Sequence, residues 1–172
     1  MKTNDFWLFA THLYGEPGVA DACLWLQEQH DLDVMLLLLC LWSGYERGPL
    51  HPAQLHMLVS DSGPWRRSLV QPLRSARKWL KEYRPAVPEP SAVDREALRQ
   101  AILAKELAAE RLQGELLQAL LAAWQGATRP GVPGAAAAES NVRLYLKQLS
   151  ISPDPENEQR LEVILAASPR PA

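Results

Sequence analysis

The sequence predicts an all-α protein, a multi-helix bundle with one long helix in its C-terminal half and short helices after a flexible linker. Three observations lead there. Apolar residues recur at three- and four-residue spacing almost throughout, alternation over strand lengths is scarce, and β-branched residues are few beside Leu and Ala, which favour helices. With 172 residues, 47% of them apolar, the chain is long enough to bury one ordinary globular core.

The first helix is expected from about Asn4 to Tyr14, with Phe6, Phe9, Ala10 and Leu13 on one stripe, and Gly15 and Pro17 stop it. Pro17 then opens a second helix at its first turn, where a missing N–H is harmless, and Val19, Ala22, Cys23 and Leu26 carry its inner face to His30 with Trp25 at the edge. Asp33 is placed to cap a third helix. Its apolar run, Val34 to Trp42, is nine residues long, against about 20 for a membrane span. A helix apolar all round has neighbours on several sides, so this one is the predicted centre of the fold; it ends at Ser43-Gly44 or at Arg47-Gly48-Pro49. His51-Pro52 begins a fourth helix with Leu55, Leu58 and Val59 inward, and Asp61-Ser62-Gly63-Pro64 should break it after Ser60.

Trp65 to Tyr83 is the fifth segment, with Leu69, Leu73, Ala76 and Leu80 as its apolar stripe and Pro72 expected to kink or split it. Residues 84–90, with three prolines, form a connector. A loose capping box at Ser91 to Asp94 starts a long helix to about Gln125, whose leucines recur over a rod of about 50 Å at 1.5 Å per residue. Gly114 marks either a bend or a point on a rod that projects and pairs with something. The domain reading is a helical bundle over residues 1–125, a flexible Gly/Ala/Pro linker at 126–138, and two short helices with a frayed tail over 139–172.

The order Phe6-Trp7, Tyr14, Pro17-Gly18-Val19, Ala22-Cys23-Leu24, Leu26-Gln27, Asp33-Val34, Leu36-Leu37-Leu38, Cys40, Trp42 and Gly44, followed by the Pro-Leu-Arg..Arg run from Pro72 to Arg77, resembles a family of small uncharacterised proteobacterial conserved hypothetical proteins. The resemblance covers about residues 5 to 120. It implies a bacterial helical domain and brings no activity with it.

Chemistry is sparse in the sequence. The apolar residues of the N-terminus are spaced along a helix rather than fused into a signal-peptide core, which with the short central run predicts no membrane insertion. Cys23 and Cys40 lie in apolar stretches without a CxxC pattern, as buried thiols of a cytoplasmic protein would. His12, His30, His51 and His56 lack metal-ligand spacing, and no phosphate-cradling glycine motif or activated serine is present. The expectation is therefore no cofactor, no metal and no catalytic residue.

Charge supplies the main hint. The chain totals −2, yet Arg66 to Arg84 holds seven basic residues and one acidic one, leaving about −8 for the rest. Arg66, Arg67, Arg74, Arg77, Lys78 and Lys81 form a candidate surface for a protein partner or, as an alternative, for the phosphates of RNA. The competing reading pairs these arginines with acidic faces of neighbouring helices, for example at Glu96, Glu106 and Glu110. Trp7, Tyr14, Trp25 and Trp42 are the candidates for an apolar pocket, with core packing as the plainer alternative. The leading reading is a non-enzymatic interaction or adaptor module, with homodimerisation through the long helix as one mode of association. The alternatives are a helical enzyme or carrier with an apolar pocket, and an RNA- or ribosome-associated protein.

Overall fold

The computed structural model describes residues 5–84 and 92–168. Among them are eight α-helices and no strand: α1 Phe6–Tyr14, α2 Val19–His30, α3 Val34–Glu46, α4 Pro52–Trp65, α5 Gln71–Glu82, α6 Ala92–Ala123, α7 Ala135–Gln148 and α8 Pro155–Ala167, with a π-helical turn, Arg66–Val70, between α4 and α5. The all-α class predicted from the spacing of apolar residues is the class observed. No helix of the described residues is long and apolar enough to cross a membrane. The Pro-rich connector beyond Arg84, Ser91 of the capping box and the tail after Ser168 lie outside the described residues.

Side chains start four of the helices where backbone N–H groups lack partners, among them His51 at α4, whose Nδ1 accepts from the Ala53 amide at 3.2 Å. Asp5 accepts from the Trp7 amide, Asp33 from the Met35 and Leu36 amides, and Asp154 from the Glu156 and Asn157 amides. α3 is the centre of the fold, buried from Met35 to Gly44, and α1, α6 and α7 pack around it. The contact with α7 is backbone-close. A Cβ added at Gly44 would lie 2.2 Å from the Ala138 Cα. Asn141 of α7, fully buried, locks the turn after α3: its Oδ1 accepts from the Leu50 amide at 2.7 Å, and its Nδ2 donates to the carbonyls of Cys40 and Gly48. α8 packs on α2, joined by His30 and Asn157 at 2.7 Å. α7 opens at Ala135, inside the stretch expected as linker.

Three local expectations are corrected. α2 opens at Val19, so Pro17 lies in the preceding turn and not in the helix. α4 does not break at Asp61 to Pro64 but runs through both Gly63 and Pro64 to Trp65. Pro64 is on the solvent side, as is Ser60, whose carbonyl loses its helical partner, so water can satisfy that oxygen. The π-helical turn then adds a residue to one turn, with the Gln71 amide reaching back to the Arg66 carbonyl, and puts Pro72 in the first turn of α5. That extra residue turns the stripe away from the core: Leu69 and Ala76 are exposed, Leu73 and Leu80 are half-buried, and the inward positions are Val70, Arg74 and Arg77.

α6 runs unbroken through Gly114 over its 32 residues, so the glycine marks no break. It marks a close approach: a Cβ there would lie 3.0 Å from Met35 Cε and 3.2 Å from Phe6 Cε1.

Candidate functional site

The helices do not close on one another everywhere. Between α1, α2, α3, the π-helical turn, α5 and α6 lies a cavity of about 510 Å³, within the range of small-molecule sites, about 300–1,000 Å³. Its apolar wall comes from Trp7 and Ala10 of α1, Leu24 of α2, Val34, Met35 and Leu38 of α3, Val70, and Leu103 and Leu107 of α6. Its polar wall comes from Tyr14, Gln27, Asp33, Arg66, Arg74, Arg77, Glu106, Glu110 and Gln113.

Helical spacing builds that polar wall. Arg74 and Arg77 are three apart on α5, and Glu106 and Glu110 four apart on α6, so each pair shares one face. Arg74 donates through Nε to Glu106 Oε1 at 2.9 Å, through Nη1 to Gln27 and through Nη2 to Glu110 Oε1. Arg77 donates to both oxygens of Glu106, through Nε to Oε2 and through Nη2 to Oε1 at 3.2 Å. The Glu106 side chain is 4% exposed. Arg66 reaches Asp31 at 2.6 Å, and Gln113 holds the second oxygen of Asp33, also at 2.6 Å.

Burial and charge shift these groups in opposite directions. Burial pushes the Glu106 carboxyl up, but hydrogen bonds and charge from Arg77 and Arg74 outweigh it, and the net shift is down. Glu110 is raised: burial dominates, and the charge of Glu106 adds to it against Arg74. Asp33 is raised by burial in spite of Arg66, Gln113 and two backbone amides. The Tyr14 phenol is pushed up to about 12, by burial first and then by the charges of Cys23 and Glu110. Charged groups held partly out of water around an apolar cavity are a frequent mark of a functional site.

The residues singled out from the sequence divide in an unexpected way. Arg66, Arg74 and Arg77 of the basic segment and Trp7 and Tyr14 of the apolar set line the same cavity. Arg67 and Lys81 are exposed elsewhere, and Lys78 pairs with exposed Glu28 at 2.7 Å. Trp25 and Trp42 do not line the cavity: Trp42 is buried against Phe6, with ring centroids 5.8 Å apart, and Trp25 stands edge-on to His30 beneath Arg160. Of the three glutamates named as partners for the arginines, Glu106 and Glu110 serve, whereas Glu96 binds Arg99 on its own helix. Sequence reading passed over Gln27, Asp33 and Gln113 as site residues. Gln27 and Gln113 carry a usable signal, since each is a polar residue on a stripe of apolar ones. On the outside of α5, Trp79 is 59% exposed and stacks on Tyr83. Among the described residues no group of three or more His, Cys, Asp and Glu side chains is placed to hold a metal ion.

One family model, described as "Protein of unknown function (DUF2390)", matches residues 5–117. That stretch contains every cavity-lining residue named above. No curated protein and no solved structure matches the chain.

Proposed function

The chain belongs to the DUF2390 family, and we propose that it binds a small molecule with an apolar body and a polar head in the cavity between α1, α5 and α6. The observation that carries this reading is the division of one cavity of about 510 Å³ into an apolar wall and a wall of guanidinium, carboxylate, amide and phenol groups. Such a division orients an amphiphile, because burying the apolar end is favourable only while the polar end keeps its hydrogen bonds. Such a site suits a carrier or a sensor, which holds its ligand without chemical change. The buried free thiols of Cys23 and Cys40 fit a reducing, cytoplasmic setting.

Native mass spectrometry of the full chain with 1-decanol, decylamine and decanoate, each below its aggregation limit, tests the proposal. One adduct per chain is the expected product, suppressed by Thr11→Trp, which puts a large ring at the cavity wall from an exposed position. Absence of any adduct, or adducts indifferent to Thr11→Trp, rejects the cavity as a site.

A second reading, the interaction module, draws on the exposed Trp79–Tyr83 stack and its neighbour Lys81. Aromatic side chains of this kind are enriched at protein interfaces. Co-purification of a specific partner that is lost in Trp79→Ala supports it, and unchanged recovery argues against it.

A further inference from the structure

The polar end of the cavity is uneven in what it leaves open. Arg74 is engaged on all three of its nitrogens, by Glu106, Gln27 and Glu110. Arg77 gives Nε and Nη2 to Glu106, and Arg66 gives Nη2 to Asp31 and to the Leu32 carbonyl. Around these three guanidiniums stand four carboxylates, those of Asp31, Asp33, Glu106 and Glu110.

Two oxygens in the lining are left open. Glu110 Oε1 accepts from Arg74, while Glu110 Oε2 has no hydrogen-bond partner among the described residues, and the Tyr14 hydroxyl has none either. Both residues line the cavity, as does Trp7. An open carboxylate oxygen, a phenol oxygen and aromatic faces together suit an organic cation, through charge-assisted hydrogen bonds and attraction to the ring faces. An anionic head would find Arg74 fully engaged and would stand among the carboxylates of Asp33, Glu106 and Glu110, with Arg77 Nη1 and the Nε and Nη1 of Arg66 left open to it.

Resting on the ligand-binding reading above, we infer that the molecule bound here is an organic cation, a protonated amine on an apolar chain, with its ammonium at Glu110 Oε2 and the Tyr14 hydroxyl and its chain along Trp7, Leu24, Met35 and Leu107. The site selects for positive charge at the head and for little beyond apolar bulk in the tail.

Isothermal titration of the full chain at neutral pH with decylamine, 1-decanol and decanoate separates this inference from the reading beneath it. Decylamine should bind about tenfold tighter than decanol, the scale of one partly buried ionic contact with a cation–π contribution, with decanoate weakest. Glu110→Gln should bring decylamine to within about threefold of decanol, a residual of well under one full ionic contact, while leaving decanol binding in place. Decanol binding without preference for the amine, or an amine preference that survives Glu110→Gln, overturns the cation and leaves the cavity reading intact. Binding of none of the three overturns both. Should Glu110→Gln fail to fold, the order of the three affinities in the unaltered chain decides, and decanoate tighter than decylamine contradicts the inference.

Discussion

α3 has two flanks that are built on different principles. Against α7 the backbones touch at Gly44 and Ala138, and the polar group enclosed there, Asn141, makes three hydrogen bonds. On the flank towards α5 and α6, arginines and glutamates span the gap between helices, and a cavity remains behind them. The difference teaches what each residue choice permits. Small residues and one satisfied amide give dry, close packing. Long ion pairs hold helices apart, and since desolvation offsets much of their attraction they are a poor way to gain stability alone.

The largest effect is expected on the dry flank. Asn141→Leu leaves the Leu50 amide and the Cys40 and Gly48 carbonyls buried without their partner, a loss of about 3 kcal/mol at 1–3 per unsatisfied group with some relaxation; urea denaturation measures it. Next comes Gly44→Ala. Its Cβ would meet α7 backbone, which cannot swing aside, so a loss of about 2–3 kcal/mol is expected.

The ionic flank should respond less and with a pH signature. Glu106→Gln removes the carboxylate that both Arg74 and Arg77 hold, at about 2 kcal/mol near neutral pH, below the figure for a fully enclosed pair because the arginines keep some water. The folded-state shift of Glu106 is downward, so its contribution is present above the ordinary value of 4.5 and is lost as pH falls through the lower folded value. Denaturation of the unaltered and variant chains should therefore converge in acid. Glu110 has the opposite sign: its raised value means that the ionised group disfavours the fold, a contribution relieved as pH falls through that value. The smallest effect is Gly114→Ala, the same change as at Gly44 on the other flank. Its new methyl meets side chains rather than backbone, the flexible end of Met35 at 3.0 Å and the edge of the Phe6 ring at 3.2 Å, and a loss of about 1 kcal/mol is expected. Equal losses at Gly44 and Gly114 would erase the contrast between the flanks.

The sequence carried the dry flank better than the cavity. An apolar run without a polar face identified α3 as the centre, and Asp33 identified its start, because burial and capping are local in sequence. The arginine–glutamate pairing was legible as an alternative, through helical spacing on α5 and α6. The orientation of α5 was not, because a π-helical turn inserts one residue into the period and turns the expected inward stripe partly outward, with Leu69 and Ala76 exposed and Leu73 and Leu80 half-buried. Nor could spacing divide the tryptophans, since Trp7 on the cavity and Trp42 in the core sit on equally apolar helices. Asn141 looked like any polar residue after a linker. Its role depends on the Leu50 amide and the Cys40 and Gly48 carbonyls, which are remote in sequence.

Methyl NMR on the chain labelled at its methionines addresses the cavity most directly, because Met35 lies in its wall and Met57 of α4 does not. On titration with decylamine, the account predicts a saturable shift of the Met35 methyl while that of Met57 stays in place. A Met35 signal that does not move, or methyl signals that drift together without saturation, would contradict it.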